Sequence, residues 1–240
     1  LAGIHVLILV ASRDLGSALI FFIVYVMMVF IATSKWIYLL LGSAGGCFAA
    51  MLAYQFFSHV RVRVQAWKDP FSCIDDAGYQ ITQSLFAISS GGWFGLGLFR
   101  GTPTSIPFVE ADFVFSAVAE ELGILFSMCM ILVCISCFIM FMDISVRLQD
   151  KFYQLIAFGL GVTYIFQVFL TVGGGTKFIP MTGVTLPFIS YGGSSVLTTL
   201  VMFFIIEGLF IIRQEEGAKR VKRKKRRRPP QKEALQEKTE

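Results

Sequence analysis

The sequence predicts an all-α integral membrane protein, a polytopic bundle of transmembrane helices. Apolar residues make up 55% of the chain, and 25 residues are Phe, which is more Phe than a soluble domain of this size carries. The apolar residues also form runs close to the length of about 20 residues with which a helix crosses a bilayer. Charged residues, in contrast, collect at the C-terminal end.

The C-terminal segment, residues 213–240, is a polybasic tail. It carries 12 Lys or Arg against 5 Asp or Glu, whereas residues 1–212 carry 9 against 11. Because basic residues directly after an apolar span mark the cytoplasmic side, we expect a cytoplasmic tail, disordered in view of its polar composition. Anionic lipid head groups are a second role for it, and we expect no nucleic-acid partner.

Residues 1–212 form the predicted membrane domain, with six spans near 1–12, 17–34, 36–57, 114–141, 152–172 and 191–212. With a cytoplasmic tail, alternation of the spans places the large loop 58–113 and the connector 173–190 outside the cell. Lys35 and Arg147 then lie inside and the acid-leaning loop lies outside, in agreement with the positive-inside rule.

The large loop begins with two stretches that have two interpretations each. Residues 59–65 alternate polar and apolar, which predicts an extended segment. Its arginines, Arg61 and Arg63, either face solvent or await a phosphate, which Arg binds bidentately. Residues 78–88 have helical spacing, with Gln80, Gln83 and Ser84 on one polar face that is either simply wet or turned toward sugar hydroxyls.

Carboxylates follow at the end of the loop and inside the next span. Asp112 is either an N-cap of the following helix or a functional group, because carboxylates in or near a span are expensive. Glu120 lies about 12 Å of helical rise further on, too far for the close carboxylate pair of a retaining glycosidase. One catalytic carboxylate is therefore favoured over a dyad, and Glu121 is expected to pair structurally. Asp14 is either a helix cap or part of a local ion pair.

Other segments offer less specific signals. The Gly-rich stretch 91–101 lacks the Gly-Lys-Ser/Thr ending of a phosphate loop and suits a loop that dips into the membrane interface. Lys177 is a lone cation in the connector, suited to an anionic head group. The five Cys have no His or Cys partners at zinc spacing.

Five motifs together resemble the SEDS (shape, elongation, division and sporulation) family, whose members include FtsW, RodA and SpoVE. They are DLGS at 14–17, Arg63 with WKDPF at 67–71, GYQITQS at 78–84, DFVF at 112–115 with AEELG at 119–123, and GVTLPFISYGGSS at 183–195. They occur in the order of the family.

The resemblance implies a protein of ten transmembrane helices, of which about the last six are present, in the bacterial cytoplasmic membrane. It implies a peptidoglycan glycosyltransferase that polymerises lipid II outside the membrane with a class B penicillin-binding protein and other division or elongation proteins. Asp112 falls on the essential Asp of the family, a base or part of a cation site that would take a divalent cation such as Mg²⁺ or Mn²⁺. The candidate substrate-binding residues are Arg63, Gln80, Gln83, Glu120, Lys177 and Ser194.

Two other functions compete with the enzyme. A flippase for lipid-linked precursors would need charged residues along a path through several spans, and the spans here are nearly free of charge. A non-catalytic scaffold for a transpeptidase would need no carboxylate at position 112.

Overall fold

The computed structural model describes residues 14–227, and this part of the chain is helical and contains no strand. The helices are α1 (Leu15–Thr33), α2 (Trp36–Phe56), α3 (Ser58–Lys68), α4 (Tyr79–Gly91), α5 (Val114–Arg147), α6 (Lys151–Gly175) and α7 (Gly193–Arg227). Short 3-10 turns lie at Phe71–Cys73 and Pro103–Ser105. Five helices, α1, α2, α5, α6 and α7, are long and apolar enough to cross a membrane. The predicted all-α membrane fold is confirmed, and the span predicted near residues 1–12 lies outside the described residues.

The long helices run alternately up and down, so that all the long connections meet at one end of the bundle. We call this the loop end, where α1, α5 and α7 begin and α2 and α6 finish. α1 reaches it with a cap, as one interpretation of Asp14 predicted, because Asp14 Oδ1 accepts a hydrogen bond from Ser17 N at 3.0 Å. The first turn of α1 touches the connector, since a Cβ on Gly16 would stand 2.7 Å from Thr182 O.

The main apolar core lies between α5, α6 and α7. Phe141 packs edge to face against Tyr164 and Phe203, with ring centroids 5.5 and 5.0 Å apart, a favourable aromatic geometry. At the opposite end of the bundle, Arg213 of α7 pairs with Asp143 of α5 at 3.0 Å. The three helices are therefore joined by apolar packing, and an ion pair also joins α5 to α7 at that end.

Two sequence-based expectations about local structure are wrong. Residues 59–65 are part of helix α3 rather than an extended strand. The alternating valines misled the prediction, because the residues that α3 turns toward the protein are Arg63, Ala66 and Trp67, which follow the spacing of three and four of a helix face. The large loop therefore contains two helices, α3 and α4, and the helical spacing of residues 78–88 predicted the second.

The tail also differs from expectation, because α7 continues to Arg227 instead of ending near residue 212. Lys, Arg, Glu and Gln are good helix formers, so the end of the apolar run does not end the helix. Glu216 Oε2 accepts a hydrogen bond from Gln149 N at 3.1 Å, which holds this extension against the loop between α5 and α6. Residues 228–240 lie outside the described part, and their predicted disorder stays a prediction.

Helix α5 is interrupted at Gly123, and a loop from the preceding segment repairs the interruption. Gly123 has φ 83° and ψ 171°, so the helical hydrogen bonds around it are broken. The backbone of residues 92–97 replaces them: Leu96 N donates to Glu120 O at 2.9 Å, and Ile124 N donates to Gly92 O at 3.0 Å. Because unpaired backbone groups are costly in a membrane, this pairing is what allows α5 to continue.

Candidate active site

Asp112 lies at the loop end, directly before α5, and is half-buried in a narrow crevice. The crevice is formed by the last turns of α6 and by residues 181–184 of the connector; its lining includes Thr171, Gly174, Gly175, Thr182 and Gly183. The carboxylate faces Gly183, where a Cβ would stand 3.9 Å from Asp112 Oδ2.

Backbone and hydroxyl hydrogen bonds fix the segment that carries Asp112. Ser190 Oγ donates to Ala111 O, and Tyr191 N donates to Glu110 O at 2.7 Å. The next residue, Phe113, has no exposed surface and packs in the cluster formed by α3, α4 and the loop. The segment is thereby held from both sides of Asp112.

The carboxylate of Asp112 is not used as a helix cap. The N-cap position of α5 is occupied by Phe113, which makes no side-chain cap hydrogen bond. The N-cap interpretation of Asp112 is therefore wrong, and the carboxylate is left available in the crevice.

Arg63 of α3 binds the connector wall of the same crevice. Its Nη1 donates to Met181 O and to Thr182 O, each at 3.3 Å. One turn later, Trp67 Nε1 donates to Lys177 O at 3.1 Å. Helix α3 thus holds the connector in place and sets a guanidinium close to Asp112.

The surroundings of Asp112 favour its protonated form. Burial raises the pKa of the Asp112 carboxyl above its ordinary value, and the negative charge of Glu110 adds to the rise. The backbone N–H of Asp112 and the positive charge of Arg63 lower the pKa, but burial has the larger effect. Since a general base works best with a pKa near the operating pH, the shift brings this carboxyl toward that range.

A buried hydroxyl pair supports the crevice from behind. Ser84 Oγ donates to Gly175 O at 2.7 Å and lies 2.5 Å from Ser116 Oγ. This joins α4, α5 and the end of α6. Ser84 is fully buried, so its predicted place on a wet face with Gln80 and Gln83 is wrong, whereas those two glutamines are half-buried.

The other predicted substrate-binding residues are dispersed. Gln80 Nε2 donates to Pro107 O at 3.4 Å, Lys177 contributes its carbonyl to Trp67, and Ser194 is exposed at the beginning of α7. Gln83 and Glu120 line a second cavity. Of the predicted substrate-binding residues, the structure therefore places only Arg63 close enough for its charge to act on Asp112.

Glu120 and Glu121 both bind the backbone of the loop before α5. Glu120 Oε1 accepts from Thr102 N at 2.9 Å, and Glu121 Oε1 accepts from Phe99 N at 3.1 Å. The structural role expected of Glu121 is confirmed. The loop that they hold exposes Trp93, Phe94 and Phe99, whose side chains are 67%, 84% and 93% exposed.

The crevice fits a proton acceptor better than a cation site. Within residues 14–227, no three His, Cys, Asp or Glu side chains come together in a group that could hold a metal ion. Met181 and Thr182 direct their carbonyl oxygens to Arg63, so these oxygens already have a cationic partner. One carboxylate beside one guanidinium can accept a proton and bind an anion.

Sequence reasoning missed several residues of this site. Thr171 Oγ1 donates to Val184 O at 2.7 Å and fixes the wall opposite Asp112. Ser116 and Ser190 act through hydroxyl contacts with residues distant in sequence. Ser190 stands in one of the quoted motifs, which is the signal that could have found it, whereas Thr171 lies in a span and carries no such signal.

Comparisons with known proteins agree on one family. A family model described as a cell cycle protein, named for FtsW, RodA and SpoVE, matches residues 1–215. The peptidoglycan glycosyltransferase RodA of Mycobacterium bovis is 39% identical over 194 residues, 81% of this chain and 41% of that protein. The probable peptidoglycan glycosyltransferase FtsW of Aliivibrio salmonicida is 34% identical over 200 residues, 79% of this chain and 48% of that protein.

A solved structure also resembles the chain. It is described as showing the structural coordination of polymerization and crosslinking by a peptidoglycan synthase complex, and one of its chains matches with a TM-score of 0.67 and 25% identity. The match covers 86% of this chain and 60% of that one. The chain spans about half the length of the curated relatives it matches. It belongs to the FtsW, RodA and SpoVE family, as its motifs predicted, and forms part of a multi-pass bacterial membrane protein.

Proposed function

We propose that the protein is a peptidoglycan glycosyltransferase that polymerises lipid II into glycan strands and releases undecaprenyl pyrophosphate. The observation that carries the proposal is the Asp112 crevice, which holds a half-buried carboxylate within reach of the positive charge of Arg63. The names of the relatives, peptidoglycan glycosyltransferase RodA and FtsW, give the reaction class.

The reaction takes place at the outer face of the cytoplasmic membrane. The end of the bundle opposite the crevice carries Lys35, Arg147 and Lys151, and α7 continues at that end into the polybasic tail. By the positive-inside rule this end is cytoplasmic, so the loop end and Asp112 face outward. A lipid-linked substrate reaches such a site while its polyprenyl chain stays in the bilayer.

Asp112 acts as the general base. Its carboxylate takes the proton from the acceptor sugar hydroxyl as that oxygen forms a bond with the anomeric carbon of the donor sugar. The bond from that carbon to the pyrophosphate oxygen breaks, and undecaprenyl pyrophosphate leaves with the electron pair. Arg63 stabilises the negative charge that develops on the leaving group.

The enzyme works with a class B penicillin-binding protein that crosslinks the strands. The support is the solved complex to which the chain is similar, which is described as coordinating polymerization and crosslinking.

The direct test of the proposed function is polymerisation of labelled lipid II by the purified full-length protein with that partner, comparing the wild type with Asp112→Ala. If the wild-type protein forms no polymer, the proposed function is wrong.

The rate of polymerisation should depend on pH through Asp112. The base must be ionised, so activity is present above the pKa of Asp112 and is lost as the pH falls through it. Because burial raises this pKa, we expect the acid limb of kcat/KM to lie above about pH 3.9, the pKa of an unperturbed Asp. The pH profile of lipid II polymerisation measures this limb.

Two neighbouring charges should move the acid limb in opposite directions. Glu110→Gln removes a charge that raises the pKa, so the limb should shift to lower pH; Arg63→Gln removes a charge that lowers it, so the limb should shift to higher pH. The shift caused by Glu110, which is exposed, should shrink at high salt because salt screens exposed charges. Asp76→Asn, an exposed acidic position elsewhere in the loop, is the control. Equal profiles in all three variants would show that Asp112 does not set the limb.

A further inference from the structure

A second cavity lies at the loop end, between α4, α5 and the loop 96–105. Its volume is about 290 Å³, and it shares no lining residue with the Asp112 crevice. This is close to the lower end of the range of roughly 300–1,000 Å³ that small-molecule sites occupy, enough for one compact ring. Residues lining it include Gln83, Phe86, Ser90, Arg100, Ser105 and Glu120.

The buried wall of this cavity contains a carboxylate whose hydrogen bonding is incomplete. Glu120 is only 5% exposed, and its Oε1 is bound by Thr102 N at 2.9 Å. Its Oε2 is buried and has no hydrogen-bond partner among the described residues. A buried carboxylate oxygen without a donor is costly, and a hydrogen-bond donor brought by a ligand would remove that cost.

The remaining wall is mixed in character. Gln83 offers an amide that both donates and accepts, and Ser90 and Ser105 offer hydroxyls. Phe86, half exposed, adds an apolar surface, and Arg100 stands exposed at the side. The negative charge of Glu120 would repel a phosphate. A neutral ring with hydroxyl and amide substituents can instead form hydrogen bonds with the carboxylate, amide and hydroxyl groups of the wall and pack against its apolar surface.

We propose that this cavity is a second carbohydrate subsite, which holds one sugar ring of the growing glycan strand away from the reacting ring at Asp112. The proposal rests on the proposed function. Glu120 lies six residues after the first residue of α5, about 9 Å of helical rise, and Asp112 lies two residues before that helix begins, so one short glycan can reach both positions. Binding the strand there keeps it on the enzyme between couplings and lengthens the polymer.

The test uses the full-length protein with its transpeptidase partner and labelled lipid II. Gln83→Ala and Glu120→Gln are each expected to shorten the glycan strands several-fold relative to the wild type, measured by gel. Glu120→Gln keeps an oxygen for Thr102 N, so the loop should remain folded. Ser89→Ala, exposed on α4 outside the cavity, is the matched control.

A binding experiment separates this proposal from the proposed function. Chitotetraose is titrated into the Asp112→Ala protein, because a binding measurement does not require an active enzyme. Adding Gln83→Ala to this variant should raise the Kd for chitotetraose roughly tenfold, as expected for the loss of one hydrogen bond in a polar site. Absence of chitotetraose binding, or equal binding with and without Gln83, would overturn the subsite, as would strands of wild-type length in both cavity variants. If the wild-type protein makes no polymer, that result would instead contradict the proposed function.

Discussion

Asp112→Ala should abolish polymerisation of lipid II while leaving the protein folded. Removal of a general base slows a reaction by about 10²–10⁴-fold, and no other described carboxylate lines the same crevice. The assay is the appearance of labelled glycan from lipid II with the full-length protein and its partner. Asp112→Glu keeps a carboxylate but moves it by one methylene, so we expect intermediate activity.

The fold should tolerate the loss of this side chain because the carboxylate caps no helix. Membrane integration, thermal stability and binding to the transpeptidase should equal those of the wild type. Glu110→Gln, two residues away, is the matched control and should keep most of its activity. Full polymerisation by Asp112→Ala would remove Asp112 from the mechanism and favour the scaffold; retained lipid transport without polymerisation in the wild type would favour the flippase.

Gly123→Ala should remove most of the folded protein. Gly123 has φ 83° and ψ 171°, a conformation that is essentially restricted to Gly and costs other residues about 1–3 kcal/mol. A Cβ there would stand 2.4 Å from Gly95 N and 2.5 Å from Trp93 O. These are backbone atoms, so relief of the clash would break the hydrogen bonds by which residues 92–97 repair α5.

The expected destabilisation is several kcal/mol, a large part of a total stability of about 5–15 kcal/mol. Thermal unfolding in detergent and the yield of monodisperse protein measure it. Gly208→Ala is the control, because a Cβ on Gly208 would meet nothing within 4 Å and Ala stabilises helices relative to Gly. Equal melting temperatures for the two variants would show that the break in α5 is not held by a close contact.

The sequence was sufficient for the fold class and the positions of the long helices, because apolar runs report directly on membrane insertion. It predicted α4 from the spacing of residues 78–88, but it failed for two other polar helical segments. Residues 59–65 alternate in sequence but belong to α3, and the stripe of Arg63, Ala66 and Trp67 becomes visible only when the connector is known to lie opposite it. The extension of α7 beyond residue 212 depends on contacts with Asp143 and Gln149 that lie far away in sequence.

The residues of the candidate site were predictable only in part. Asp112 and Arg63 were expected from motifs, and the structure brings them close enough for the charge of Arg63 to lower the pKa of Asp112. Gln83 and Glu120 were placed with them, but α4 turns Gln83 toward Glu120 and buries Ser84 against Ser116. The spacing of residues in the sequence predicts which side chains share a helix face, but it does not predict which element packs against that face.

The side of the membrane on which Asp112 lies is the most direct test of the account. In a full-length protein whose native cysteines are replaced, Asp112→Cys should react with a small membrane-impermeant methanethiosulfonate added to intact spheroplasts. Gln149→Cys, in the exposed loop at the opposite end, should react only after permeabilisation. Reaction of Cys at position 112 only after permeabilisation would place the carboxylate on the wrong side for lipid II polymerisation and contradict the proposed enzyme.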